Sequence, residues 1–392
     1  MQKTLFFLVI NFLTLQSSAI NFQKIDSLID NKQYLSAWNA LTELENGVNG
    51  VDAHIKKINL SLRYFTKTFS HESFYFNNLK KGQNLINLRL LVKDKKLPMY
   101  TYKIAEVIDS LQKSNPKDYR LKKLQGDFYY DISIIYDKDW IINKQEVTRR
   151  MYEGYTTAED HGIEDHISLY ALGYFWNIND KRKKSQNYFM RSLQIDSNYA
   201  PTHYNLAYLY LEQDSLELAL YHGLKAYNLY KYINYKNDAG QMAGSILGKL
   251  GRHSEAITLL LDCDKLIPNT YYTYYYLLNS FLAKKRIIES IVTAQNMFNL
   301  DCKSHTINTD IINLFIQNNQ LVALEQFYKD RLKEEKYDKE YRGYVYLHLA
   351  QAFQMKNKTK EYLINIELAK ENFNTCYDSD HPVFQVIEKM KR

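Results

Sequence analysis

The chain has 392 residues, of which 45% are hydrophobic, with 13 Gly and only 5 Pro. So few breakers in a chain of this length favour helices joined by short turns. The formal net charge of +7 is small for this length, and basic residues are interspersed with acidic ones except in the run 181–184, KRKK. This composition argues against a nucleic-acid-binding protein. Beyond the first residues no segment is apolar enough for a transmembrane helix.

The first 19 residues have the pattern of a secretory signal peptide. Lys3 precedes an apolar stretch from Thr4 to Leu15, and the small residues Ser17 and Ala19 follow. That stretch is about 12 residues long, whereas a bilayer core takes roughly 20. We therefore expect cleavage after Ala19 and export of the mature chain, either to the periplasm or as a secreted protein. The alternative is that this segment forms a buried first helix of the fold.

Residues 20–165 are predicted to be divergent helical repeats. Apolar and small residues recur at helical spacing from Ile25 to Leu44 and again from Ile104 to Pro116. Farther on, Gly126 and Met151 are 25 residues apart where the later repeats have 12. We expect an insertion around residues 137–145 that either lengthens two helices or forms a protruding loop carrying Trp140.

From residue 166 to 302 one pattern recurs every 34 residues. Leu172-Gly173 is followed by Leu206-Ala207, and Ser185 is followed by Ala219 at the same interval. A period of this length is typical of helix–turn–helix arrays, in which each unit is too small to bury its own apolar face. The small residues predict the closest crossings of paired helices, and the larger apolar residues between them fill the space between layers.

This pattern resembles the tetratricopeptide repeat. That family places Leu-Gly at positions 7 and 8, aromatic residues at 11 and 24, Ala at 20 and 27, and Pro at 32. Units begin at His166, Ala200, Asn237 and Tyr271. The unit at Asn237 carries the pattern on Ala243, Gly244, Leu247, Ala256, Leu260, Cys263 and Pro268. The resemblance implies an all-α fold, a right-handed superhelical solenoid of stacked antiparallel helix pairs.

Residues 303–392 continue the same spacing in weaker form. Ala350 and Phe353 suit positions 8 and 11, but Tyr362 replaces the small residue expected at position 20. We expect degenerate repeats here, ended by a short capping helix from His381 to Arg392.

The resemblance also implies where a ligand binds. The first helix of each pair, helix A, lines a concave groove, and positions 2, 5, 9 and 12 point into it. The candidate ligand-binding residues at these positions are Tyr170, Tyr174, Asn177, Tyr204, Tyr208, Gln241, Tyr272, Tyr275 and Asn279. Their rings either contact a ligand or pack between adjacent A helices. Position 5 carries no Lys or Arg, so the charged clamp that other such repeats use for a peptide carboxylate is absent.

No pattern of catalytic residues stands out. His161 and His166 are five residues apart, which places their rings on different faces of a helix. Cys263, Cys302 and Cys376 are widely spaced, and Cys263 occupies a small buried position of its repeat. Acidic residues are scattered, with no carboxylate pair in an apolar setting. We therefore expect no enzyme, no metal site and no cofactor.

These features favour an exported, non-enzymatic scaffold that binds a protein or peptide in its groove. The alternative is a carbohydrate-binding helical array of a polysaccharide export or cell-envelope system, because rows of Tyr also stack on sugars. The two differ in ligand, and the residues alone name neither the partner nor the pathway.

Overall fold

A computed structural model describes residues 22–136, 139–333 and 338–391. The predicted signal peptide, residues 1–19, lies outside this range. The chain divides between Ser197 and Asn198 into two compact units. In the described residues, no helix is both long and apolar enough to cross a membrane.

The first unit contains nine described helices and a small sheet. The helices are α1 (22–30), α2 (Tyr34–Leu44), α3 (Gly50–Arg63), α4 (Leu85–Val92), α5 (Ile104–Ser114), α6 (Arg120–Ile135), α7 (Lys144–Glu159), α8 (His166–Ile178) and α9 (Arg182–Ile195). The strands are β1 (Lys67–Phe69), β2 (Ser73–Tyr75) and β3 (Tyr100–Thr101), paired antiparallel in the order β1-β2-β3. The sheet lies between α3 and α5 in the chain, where only helical repeats were predicted.

The second unit is wholly helical in its described residues. Its helices are α10 (Ala200–Glu212), α11 (Leu216–Leu229), α12 (Ile233–Lys249), α13 (His253–Leu266), α14 (Tyr271–Ala283), α15 (Ile287–Leu300), α16 (His305–Gln317), α17 (Leu321–Lys333), α18 (Lys339–Met355), α19 (Thr359–Phe373) and α20 (Pro382–Lys391). Each helix packs against the next from α10 to α20. The predicted all-α array of helix pairs is confirmed within each unit, apart from the small sheet.

Small residues let the paired helices approach as the period predicted. A Cβ on Gly173 of α8 would lie 2.6 Å from Cδ1 of Phe189 on α9. A Cβ on Gly244 of α12 would lie equally close, 2.6 Å, to Cδ2 of Leu260 on α13. Position 8 therefore faces the bulky residue at position 24 of its own pair, and glycine supplies the space that the ring or branched side chain fills.

The insertion around Trp140 lengthens helices and packs against the sheet. Both α6 and α7 have 16 residues. The Trp140 indole Nε1 donates to the Ser70 carbonyl oxygen at 2.7 Å, and its ring meets Phe128 of α6 edge-on. The alternative of a protruding loop is thus wrong for this tryptophan, which joins the insertion to the turn between β1 and β2.

The C-terminal helix closes the second unit. Tyr362 of α19 is buried, and its hydroxyl donates to the Met390 carbonyl oxygen of α20. Val383 and Ile387 of α20 are buried in the same core. The large residue at position 20 of the last pair therefore serves as a contact to the capping helix.

Candidate interaction surface on the A helices

The first helices of successive pairs lie side by side and form one face of each unit. In the first unit α3 packs against α6, and α6 against α8. In the second unit α12 packs against α14, α14 against α16, and α16 against α18. We call these first helices, together with α10, the A helices.

Two of the three predicted contact residues in the first unit lie close together. The rings of Tyr170 and Tyr174 on α8 stack at 6.5 Å, and Tyr170 also packs against Phe189 of α9. Tyr174 is exposed. Asn177, by contrast, accepts hydrogen bonds from Arg182 through its backbone and side-chain oxygens, at 3.0 and 2.6 Å. It belongs to the turn between α8 and α9.

On α10 the two predicted tyrosines differ in burial. Tyr204 is half-buried against the ring of Tyr230, with centroids 6.4 Å apart, whereas Tyr208 is exposed. Burial, and then the nearby Asp238 of α12, raise the pKa of the Tyr204 hydroxyl. Tyr204 therefore packs against Tyr230 and also lies near α12.

On α12 and α14 the predicted amides and rings have different partners. Gln241 donates to the hydroxyls of Thr270 and Thr273 at 3.1 and 2.9 Å, so it links α12 to the start of α14. Tyr272 is exposed, and Tyr275 is half-buried between other tyrosine rings of α14. Asn279 is half-buried one turn farther along.

The sequence reasoning missed several neighbours of these residues. Tyr230 follows α11 and Tyr235 lies in the first turn of α12, and their rings lie 5.5 Å apart. On α14, Tyr271 donates its hydroxyl to Asp310 of α16, and Tyr276 stacks on Tyr272 at 6.3 Å. The signal was local tyrosine density, since three of the 35 tyrosines fall in residues 230–235 and five in residues 271–276.

We call the resulting set the tyrosine surface of the second unit. It consists of Tyr204, Tyr208, Tyr230, Tyr235, Tyr271, Tyr272, Tyr275 and Tyr276. Tyr208, Tyr235 and Tyr272 are 47%, 58% and 58% exposed. Large rings left in water beside half-buried ones are characteristic of binding surfaces.

One carboxylate pair does lie in a half-buried setting, contrary to the expectation from sequence. Asp127 and Asp131 are four residues apart on α6 and line one cavity. Burial, and then the charge of Asp127, raise the pKa of Asp131 to about 7, while Arg63 lowers it. The spacing of four residues between the two aspartates could have indicated that they lie on one face of α6. Their partial burial results from residues of α3 and α8 that line the same cavity.

The cysteines and histidines have packing or capping contacts. All three cysteines are unpaired, and Cys263 is buried facing Gly240 of α12. Burial raises the pKa of its thiol to about 12, so the reactive thiolate is disfavoured. His161 stacks on Tyr119, and no group of His, Cys, Asp and Glu in the described residues has metal-binding geometry.

Part of the second unit matches a known protein family. Residues 241–270, which span α12 from Gln241 through α13 to Thr270, match the family model of the tetratricopeptide repeat. This is the stretch in which the spacing of small and large residues follows the consensus most fully. The chain thus contains a tetratricopeptide repeat at these residues. No curated protein matches its sequence.

Several solved structures match parts of the chain. YrrB, a TPR protein described with an unusual peptide-binding site, is 14% identical, and the match covers 60% of this chain and 97% of YrrB with a TM-score of 0.37. A tetratricopeptide repeat protein from Parabacteroides merdae ATCC 43184 is 11% identical over 68% of this chain and 97% of its own, with a TM-score of 0.42. PilF of Pseudomonas aeruginosa is 15% identical over 56% and 96%, with a TM-score of 0.35.

Proposed function

We propose that this repeat protein is a non-enzymatic scaffold that binds an extended peptide segment of a protein partner along the A helices of its second unit. The observation that carries the proposal is the tyrosine surface, where exposed rings adjoin half-buried ones on consecutive A helices. A tyrosine offers a large apolar contact at small entropic cost and keeps a hydroxyl for hydrogen bonding.

Two of the predicted amide side chains already have hydrogen-bond partners within the protein. Gln241 is engaged with two threonines and Asn177 with Arg182, so neither amide is proposed as a ligand anchor. Tyr208 and Tyr272 are exposed and lead the list of proposed contacts. Tyr204 and Tyr275 are half-buried and support them.

Two carboxylates border the tyrosine surface and favour a peptide that is not acidic. Asp238 lies close to Tyr204, and Asp310 accepts from Tyr271. Burial raises the pKa of Asp238. A second acidic group brought to this surface would meet like charge in a partly desolvated place, which costs binding energy.

We further propose that the scaffold acts outside the cytoplasm, after removal of residues 1–19. The support is the charged, apolar and small-residue pattern of that segment. Export places the partner among envelope or extracellular proteins.

The test of the scaffold proposal compares two sets of substitutions. Tyr204, Tyr208 and Tyr272 are changed together to Ser in one variant, and all four residues of the run 181–184 are changed to Ser in the other. We expect the tyrosine variant to lose more partner binding, since an aromatic anchor contributes about 2 kcal/mol or more and a solvated charge less than about 1 kcal/mol. Binding is measured by quantitative capture of envelope proteins, identified by mass spectrometry.

Only variants with wild-type helicity and melting temperature enter this comparison, because Tyr204 also packs against Tyr230. Normal binding by the folded tyrosine variant, with loss in the basic-run variant, would move the site to the turn where Lys184 lies 3.7 Å above the Trp176 ring. Failure to capture any protein, together with glycan-array binding lost in Tyr204→Ala with Tyr275→Ala, would favour the carbohydrate-binding alternative.

A further inference from the structure

Helix α4 of the first unit has apolar residues on two opposite sides. On the inner side Val92 is buried, and Leu88 is half-buried against the core of the unit. The outer side lies in solvent and carries Ile86, Leu90 and Leu91, which are 51%, 71% and 68% exposed. A surface helix normally presents polar residues to water, so an apolar outer side indicates that this side meets a further partner.

Two basic side chains fix α4 to the unit through its inner side and its end. Arg89 donates to the Phe65 carbonyl oxygen at 2.9 Å, and its guanidinium carbon lies 4.1 Å from the centre of the Phe65 ring. Lys67 of β1 donates to the carbonyl oxygens of Lys93 and Lys95, just after α4, at 2.9 and 2.7 Å. These contacts set the orientation of the helix and leave the outer side uncovered by the described residues.

An exposed aromatic ring on β1 extends the apolar outer side. Phe69 is 73% exposed and lies two residues after Lys67, so the two side chains project from the same face of the strand. Because Lys67 reaches the end of α4, this face of β1 is the one toward α4. We call the four exposed side chains the apolar patch: Phe69, Ile86, Leu90 and Leu91.

Lysines stand at both ends of α4, beside the apolar patch. Residues 80–96 contain six basic residues and one acidic residue, so this short segment carries +5 of the formal +7 of the chain. No carboxylate of the described residues forms an ion pair with any of the five lysines of the segment. All five are exposed: Lys80, Lys81, Lys93, Lys95 and Lys96. Large apolar side chains bordered by uncompensated positive charge are the combination that binds an anionic lipid surface.

We propose that the apolar patch and its five lysines bind the surface of a bilayer that contains anionic lipids. The apolar side chains enter the boundary between headgroups and acyl chains, while the lysine ammonium groups reach the lipid phosphates. The helix has eight residues, about 12 Å at the usual rise, so it lies along the surface, since crossing the hydrocarbon core takes about 20 residues.

The charge of the segment argues against a second copy of the chain as the partner. Two copies meeting through this patch would bring one positive segment against another, and like charges across a contact cost affinity. An acidic protein would satisfy the same charges and is separated from lipid by the experiment. The proposal concerns the first unit, so it stands or falls independently of peptide binding by the tyrosine surface.

The probes are vesicles of phosphatidylcholine alone and vesicles in which about a third of the lipid is phosphatidylglycerol. Co-sedimentation is measured with the mature chain from Ile20 onward, so that the apolar stretch of the signal peptide cannot account for binding. We expect binding to the anionic vesicles to be stronger by about tenfold or more, and to weaken as salt is raised from about 0.1 M to about 0.5 M. Equal binding to the two kinds of vesicle, or no binding to either, overturns the proposal.

A matched pair of triple substitutions assigns the apolar contact. In one variant Ile86, Leu90 and Leu91 are all changed to Ser, which should weaken binding to the anionic vesicles by about tenfold or more. The control makes the same change at three exposed aliphatic residues of the second unit and should bind as wild type: Leu218, Leu363 and Ile364. Both variants should keep the wild-type melting temperature, because all the changed side chains are exposed. Unchanged vesicle binding by the folded α4 variant overturns the proposal.

The charge contribution is tested in the same way. Changing Lys93, Lys95 and Lys96 together to Gln should remove most of the preference for anionic over neutral vesicles. The control changes three lysines of the run 181–184 to Gln and should retain that preference. Loss of the preference in the control alone would move the lipid contact to that run and overturn the proposal.

A tryptophan reporter locates the contact without relying on a loss of binding. In Leu91→Trp, brominated lipid in the anionic vesicles should quench the added fluorescence, whereas the Trp added in Leu363→Trp should remain unquenched. Equal quenching in the two variants contradicts insertion at α4. If the chain binds no vesicles but captures an acidic protein, or forms a dimer, that the α4 triple variant loses, the patch is a protein contact and the lipid proposal is wrong.

Discussion

Ala219 shows how one small side chain sets the distance between two helices. It lies on α11 with no exposed surface, 34 residues after Ser185, which is equally buried on α9. A buried site that holds only a methyl or hydroxymethyl group in each repeat has no room for a longer side chain, because interiors are packed to crystal-like density.

Ala219→Leu should therefore lower the free energy of unfolding by about 1–3 kcal/mol, the usual cost of overpacking. Lys225→Leu on the same helix adds the same side chain at an exposed position and should change stability little. Chemical denaturation of both variants measures the difference. A midpoint for Ala219→Leu equal to that of wild type would show that the repeat register is misassigned.

At the level of elements, the turn between β1 and β2 depends on the segment that follows α6. Ser70 and His71 both have a backbone φ of 51°, a conformation that non-glycine residues adopt at a cost of about 1 kcal/mol or more. The Trp140 indole donates a hydrogen bond to the Ser70 carbonyl oxygen, and the Tyr136 hydroxyl lies 3.0 Å from Nδ1 of the buried His71. Burial lowers the pKa of His71 to about 4, so its ring is neutral near pH 7.

Trp140→Phe should loosen this sheet while leaving the repeats folded. The substitution keeps an aromatic ring against Phe128 but removes the donor to Ser70, a loss of about 0.5–1.5 kcal/mol. Hydrogen exchange of the amides from residue 66 to 75 should accelerate several-fold. The control is Trp176→Phe, because the buried Trp176 Nε1 has no hydrogen-bond partner in the described residues to lose. Equal acceleration in both variants would assign the effect to ring size instead of the hydrogen bond.

At the level of the whole molecule, the protein is basic overall while the tyrosine surface is bordered by acidic residues. The formal charge is +7, yet Asp238 lies close to Tyr204 and Asp310 accepts from Tyr271. Overall charge therefore does not describe the surface that a partner meets, and local charge and burial govern specificity.

The mature protein should begin at Ile20 and be recovered outside the cytoplasm. Lys3, the apolar stretch to Leu15 and the small residues up to Ala19 form the pattern that signal peptidases recognise. N-terminal sequencing of the protein purified from its native source measures this directly. An intact Met1 would contradict export and, with it, the proposed class of partner.

The sequence alone determined the repeat architecture, because a helical pair is a local structure. Its 34-residue period is visible in Leu172 and Leu206, and again in Ser185 and Ala219. It also placed the tyrosines on the A helices, since position within a repeat decides which face a residue occupies. Only the tertiary structure decided which tyrosines remain exposed, because Tyr204 meets Tyr230 after α11 and Tyr271 bonds to Asp310 of α16. The same holds for the sheet pinned by Trp140 and for the pKa of Asp131. Both depend on contacts between segments far apart in the chain, and burial of this kind has no local signature.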